Sequence, residues 1–137
     1  MEKIFQKLKS QKLKVTPQRI AIYKFLCDTN THPTAEIIYT SLKELNPSIS
    51  IATVYKTLTT LKKACLIQEL NLNDSSIRYD ANTNFHSHLI CTCCKSVCDY
   101  PLPHTIDINN DIRDKMGFSV EYTQLYFYGK CENCKNI

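Results

Sequence analysis

At 137 residues the chain has room for one ordinary domain or two small ones, and each small domain would need a metal or a partner to reinforce its core. No apolar run approaches the roughly 20 residues that span a bilayer, and the N-terminal MEKIFQKLKSQKLKVTPQR holds no apolar core of signal-peptide length. A cytoplasmic protein without a membrane partner is therefore expected. The net charge of +4 is uneven: residues 1–75 carry 11 Lys and Arg against 6 Asp and Glu, and residues 76–137 carry 6 against 7. A basic module joined to a second one rich in cysteine and histidine points to a polyanion binder with separate control or assembly. Eight cysteines without an export signal speak for metal or redox chemistry rather than structural disulfides.

In chain order, Thr16 before Pro17 predicts a helix over PQRIAIYKFLCD, with Ile20, Tyr23 and Cys27 on its apolar face. Thr34 predicts a second over AEIIYTSLKEL, where Ile38, Leu42 and Leu45 form a stripe. Ser50 predicts a third over IATVYKTLTTLKKACL, burying Val54, Leu58, Leu61 and Cys65 and turning Thr53, Lys56, Thr60 and Lys63 outward. LIQELNL and SIRYD, either side of Asn73-Asp74-Ser75, predict a β-hairpin. Helices followed by a hairpin make a winged helix-turn-helix, which sets one helix in the DNA major groove. ANTNF, residues 81–85, is polar and reads as a linker. Beyond it HSHLIC and SVCDY predict strands, TIDINNDIRDKM a helix ended by Gly117, and FSVEYTQLYFYG one or two strands. The expected fold is α+β, with a winged helix-turn-helix domain over 1–80 and a small α/β domain over 86–137.

Cys91-x-x-Cys94 recurs as Cys131-x-x-Cys134, with 36 residues between the pairs. Two such knuckles supply four thiolates to a tetrahedral ion and leave no open position, the donor set of structural zinc. A thioredoxin-like dithiol would instead want one such motif in a βαβ unit. Of the other cysteines, Cys27 and Cys65 are expected to be small buried hydrophobes. Cys93 and Cys98 read as spare thiols, each near enough in sequence to replace a ligand.

His86 and His88 alternate on a strand and so share a face. With Asp80 and Asp99 nearby in sequence they suggest a second site, of imidazole and carboxylate ligands that suit Fe(II), Mn(II) or zinc. His32 precedes a helix cap in the basic half, where a plain loop histidine is the simpler reading, and His104 is assigned no role.

KVTPQR, HPTAEIIY, SIATVYKTL, RYD, HSHLICTCC and CENC together resemble the ferric uptake regulator (Fur) family of bacterial metal-dependent repressors. The resemblance covers nearly the whole chain. It implies a homodimer on double-stranded operator DNA, a C-terminal dimerisation domain, and structural Zn2+ on Cys91, Cys94, Cys131 and Cys134. It implies no enzyme, and an enzyme would want a base beyond the ligands.

Within the family, the peroxide-sensing repressors (PerR) hold a regulatory Fe2+ or Mn2+ on three histidines and two aspartates, matched here by His32, Asp80, His86, His88 and Asp99. Iron-sensing members typically have glutamates at the two aspartate positions and a richer His-His-Asp-His stretch where Phe85-His86-Ser87-His88 stands. The peroxide-sensing branch is thus expected, with His32 and His86 as the oxidation-sensitive ligands. The alternative is an iron- or manganese-responsive repressor of metal uptake. The resemblance also implies Tyr55 and Lys56 against base edges, Lys14 near the minor groove and Arg19 near the backbone, and Thr53, on the outward face of the same helix, is a further candidate DNA contact. Lys56 departs from the Asn or Arg common there, and Lys95 from the Gly often found after the second knuckle cysteine.

Overall fold

A computed structural model describes residues 1–72, 76–102 and 107–137. The expected turn at 73–75, the start of the expected helix at 105–106 and His104 lie outside the described residues. The chain divides into two compact units, Met1–Thr83 and Asn84–Ile137.

The first unit holds α1 (Glu2–Ser10), α2 (Pro17–Asp28), α3 (Ala35–Leu42), α4 (Ile51–Lys63) and an antiparallel pair, β1 (Gln68–Asn71) and β2 (Ile77–Asp80). The hydroxyls of Thr16, Thr34 and Ser50 accept hydrogen bonds from the backbone N–H of Arg19, Ile37 and Thr53, so α2 to α4 begin where their caps predict. The helix α1 has no side-chain cap at Met1, and start signals therefore did not reveal it. Its Leu8 is fully buried with Ile22, Tyr23, Leu26, Ile38, Val54, Leu58 and Leu61 in one apolar cluster. Each such side chain stabilises the fold by about 1.5–3 kcal/mol.

Two expected faces are corrected. The helix α3 stops at Leu42, and Leu45, beyond it, is 85% exposed. Cys27 and Cys65 are exposed rather than buried. The core face of α2 runs through Ile22, Tyr23 and Leu26, which rotates Cys27 outward. Cys65 lies past the end of α4 with φ of 57°, where Leu66 N–H donates to Leu61 carbonyl at 3.0 Å and closes the helix.

The second unit holds β3 (Ser87–Cys91), β4 (Val97–Tyr100), α5 (Ile108–Met116) and β5 (Leu125–Gly129). The sheet order is β4-β3-β5, with β4 antiparallel and β5 parallel to the central β3. Gly117, at φ 61°, ends α5 by donating to Arg113 carbonyl at 2.8 Å. Register places His88 between Asp99 and Tyr126 on one face, and Leu89 between Cys98 and Phe127 on the other. Among the described residues the core is thin: Ile90 and Val97 are its buried aliphatics, α5 buries none of its residues, and Leu89 and Phe127 remain 40% and 48% exposed.

Candidate metal centres

Cys91 closes β3 and Cys94 stands in the turn that leads to β4. That turn is made by Lys95, whose N–H donates to Cys91 carbonyl at 3.0 Å and whose φ is 64°. An L-residue in this left-handed region carries strain that glycine avoids. Because β5 runs parallel to β3 with Gly129 opposite Cys91, the second knuckle emerges beside the first. One sulfur from each of Cys91, Cys94, Cys131 and Cys134 lies within 4.8 Å of the other three, and Cys94 Sγ is 3.8 Å from Cys131 Sγ.

The surroundings already favour thiolate at part of this set. The backbone N–H of Cys131, 3.4 Å from Cys91 Sγ, and that of Cys94 hold the Cys91 thiol down at about 6. Hydrogen bonding from Ser96 lowers Cys94 as well. Cys134 is pushed up, by its hydrogen bond with Cys131 and by burial. Four sulfurs at mutual contact cannot all ionise without a cation between them, and a closed four-sulfur set fits zinc. Cys93 and Cys98 are exposed and outside this group.

A second donor set within the same unit combines His86, His88 and Asp99. The Nε2 atoms of His86 and His88 lie 3.2 and 3.4 Å from Asp99 Oδ1, and both imidazoles are buried. His86 Nδ1 is 2.6 Å from the carbonyl of Asn84. That carbonyl accepts the Nδ1–H and leaves the Nε2 lone pair to ligate a cation together with the Asp99 carboxylate. Asn84 was not singled out from sequence, since a backbone carbonyl leaves no residue-type signal.

A third pair belongs to the first unit. His32 Nε2 lies 3.5 Å from Asp80 Oδ2, with both side chains buried. Asp80 ends β2 opposite Gln68, and its Oδ1 accepts from Asn82 N–H at 2.8 Å. His32 is held at φ 53°, its carbonyl near Arg78 and the carbonyl of Pro33 accepting from Tyr79 N–H. Left-handed backbone at a non-glycine residue costs about 1–3 kcal/mol and clusters at ligand sites. A mixed set of imidazole and carboxylate suits Fe(II) or Mn(II).

On the first unit, Tyr55 and Lys56 are exposed on α4 and Lys14 is exposed ahead of α2. Arg19 turns its guanidinium back to donate to Lys14 carbonyl. Thr53 is half-buried at the start of α4, its hydroxyl 2.9 Å from that of Ser50. Tyr55 hydroxyl donates to the Glu36 carboxylate, a partnership 19 positions apart in sequence that no local pattern announces.

Residues 10–128 match the ferric uptake regulator family. The chain is 35% identical over 136 residues to the peroxide-responsive repressor PerR of Staphylococcus aureus, covering 99% of this chain and 92% of that protein. Among solved structures it is similar to the Campylobacter jejuni peroxide stress regulator, with a TM-score of 0.77 and 33% identity over 95% of this chain and 98% of that one. It is also similar to the Helicobacter pylori ferric uptake regulator Fur, with a TM-score of 0.77 and 25% identity over 98% and 90% of the two chains.

Proposed function

Because the chain belongs to the ferric uptake regulator family, we propose that it is a metal-dependent transcriptional repressor that binds operator DNA as a homodimer and is inactivated by peroxide. In this reading residues 1–80 form the winged helix-turn-helix DNA-binding domain, 81–85 the linker and 86–137 the dimerisation domain. The thin core of the second unit and its exposed Leu89 and Phe127 support a need for both zinc and a partner subunit. No helix among the described residues is long and apolar enough to cross a membrane.

The observation that carries the reading is the type of ligand. His86 and His88 converge on Asp99, and His32 is paired with Asp80. Both carboxylates are aspartates. We read these five residues as the ligands of one regulatory ion, a mixed imidazole and carboxylate set that suits Fe(II) or Mn(II). Fe(II) held by these residues would supply the peroxide reduction that Mn(II) would not, one peroxide oxygen ending on a ring carbon of His32 or His86 and the other leaving as water. The chain's part is to hold the imidazoles at that place. The Asn84 carbonyl fixes the His86 tautomer, and bonds from Arg78 to the His32 carbonyl and from Tyr79 N–H to the Pro33 carbonyl hold the backbone that carries His32.

Ligands drawn from both units also make the ion a coupling device, since it binds best the arrangement in which the two recognition helices of a dimer fit their half-sites. Losing one ligand then releases DNA. The test is His32→Ala in Mn(II): operator binding weakened at least tenfold supports the coupling, and binding equal to wild type contradicts it. Lys14, Arg19, Thr53, Tyr55 and Lys56 are the proposed DNA contacts, with phosphate contacts expected to give a steep salt dependence.

A further inference from the structure

The exposed ring of Tyr55 is not left to itself. It projects from α4 and is 45% exposed, yet its hydroxyl donates to the carboxylate of Glu36, in the first turn of α3. Glu36 is in turn well placed to stay charged. It stands at the start of a helix capped by Thr34, where backbone N–H groups favour an anion, and the Tyr55 hydroxyl holds its carboxyl below the usual range. The hydrogen bond therefore joins an acceptor on α3 whose charged form is favoured to the exposed aromatic ring of α4.

We propose that Glu36 is a positioning residue for DNA recognition: by holding the Tyr55 hydroxyl it fixes the ring in one rotamer and so sets sequence discrimination by α4. The inference rests on the repressor reading above. A tyrosine on an open helix surface samples several χ1 wells and must lose that freedom on binding. A ring already tied to Glu36 binds with that loss made in advance. The bond also spends the one proton the phenol can donate. Tyr55 is left to meet DNA with its ring edge and oxygen lone pairs, a contact suited to thymine methyl groups or base amino groups in the major groove. The nearby Lys56 remains the donor.

A second consequence is electrostatic. A carboxylate beside the recognition helix repels the phosphate backbone wherever no specific contact offsets it, which weakens binding to arbitrary sequence. Glu36 thus raises the ratio of specific to non-specific affinity from both sides. Glutamine keeps the acceptor and loses the charge, which separates the two effects.

The experiment begins by selecting sites from a pool of random duplexes with Mn(II)-loaded, zinc-containing wild-type protein. The selected site and a scrambled duplex are then titrated with wild type, Glu36→Ala, Tyr55→Phe, the double variant and Glu36→Gln at one salt concentration. Glu36→Ala, which removes both the bond and the charge, is expected to lose about tenfold in the ratio of the two affinities, Tyr55→Phe, which removes the bond alone, somewhat less, and the double variant no more than Glu36→Ala, because both single variants remove the same hydrogen bond. Glu36→Gln should keep the ratio within about threefold of wild type. A Glu36→Ala protein with the wild-type ratio, or single losses that multiply in the double variant, overturns the inference. A wild type that selects no sequence contradicts the repressor reading itself.

Discussion

The Nδ1 of His86 lies 2.6 Å from the backbone carbonyl of Asn84, while its Nε2 lies 3.2 Å from Asp99 Oδ1. The two nitrogens of one ring thus have separate duties, orientation and donation. His86→Ala removes both. It is expected to lower Mn(II) affinity by at least 10–100-fold, measured by titration calorimetry, while zinc content stays at one ion per chain.

The zinc clamp bears on the fold of the second unit. Cys134 is buried and stands beside the first knuckle, and the described residues of the unit include few buried aliphatics to replace that link. Cys134→Ser is expected to abolish zinc binding and to lose the near-ultraviolet dichroism of the second unit, with the dimer falling apart in sedimentation. The helices of the first unit, with their own core, should persist.

Lys95 occupies a left-handed conformation at φ 64° inside the knuckle turn. Lys95→Gly removes the clash of Cβ with the backbone and is expected to stabilise the zinc-loaded protein by about 1 kcal/mol, less the extra freedom glycine gives the unfolded chain. Denaturant midpoints at fixed zinc concentration measure the difference.

Burial pushes the Tyr23 phenol up from 10.0 to about 12. Below pH 10 both folded and unfolded states hold the proton, and the packing of Tyr23 counts in full. Between 10 and 12 the unfolded state ionises and the folded state does not, so stability falls as pH rises through that window. Tyr23→Phe should be less affected by alkali over that range than wild type, in parallel thermal melts.

Much of the molecule was legible in the sequence where chemistry is local. Hydroxyl caps at Thr16, Thr34 and Ser50 marked three helices because each cap bonds to an N–H a few residues on. The repeated knuckle marked the four-sulfur group because its spacing fixes which thiols face one point. The uncapped helix α1 was missed, and the faces of Cys27 and Cys65 were misjudged. A cysteine at helical spacing from Ile20 and Tyr23 looks apolar, but the packing of Ile22 and Leu26 decides the rotation of α2. Backbone ligands such as the Asn84 carbonyl, and distant pairs such as Glu36 with Tyr55, depend on tertiary placement and carry no pattern in the chain.

In the proposed function a peroxide acts on this protein only through Fe(II) at the regulatory site. The most direct measurement is operator binding by zinc-containing protein loaded anaerobically with Fe(II) or Mn(II), before and after a small dose of hydrogen peroxide, with peptide masses recorded. Peroxide sensing through the ligand histidines requires loss of binding in the Fe(II) sample alone, with one oxygen atom added to the peptide holding His32 or His86. Unchanged binding and unchanged masses in both samples would contradict it and leave a repressor of metal uptake as the function.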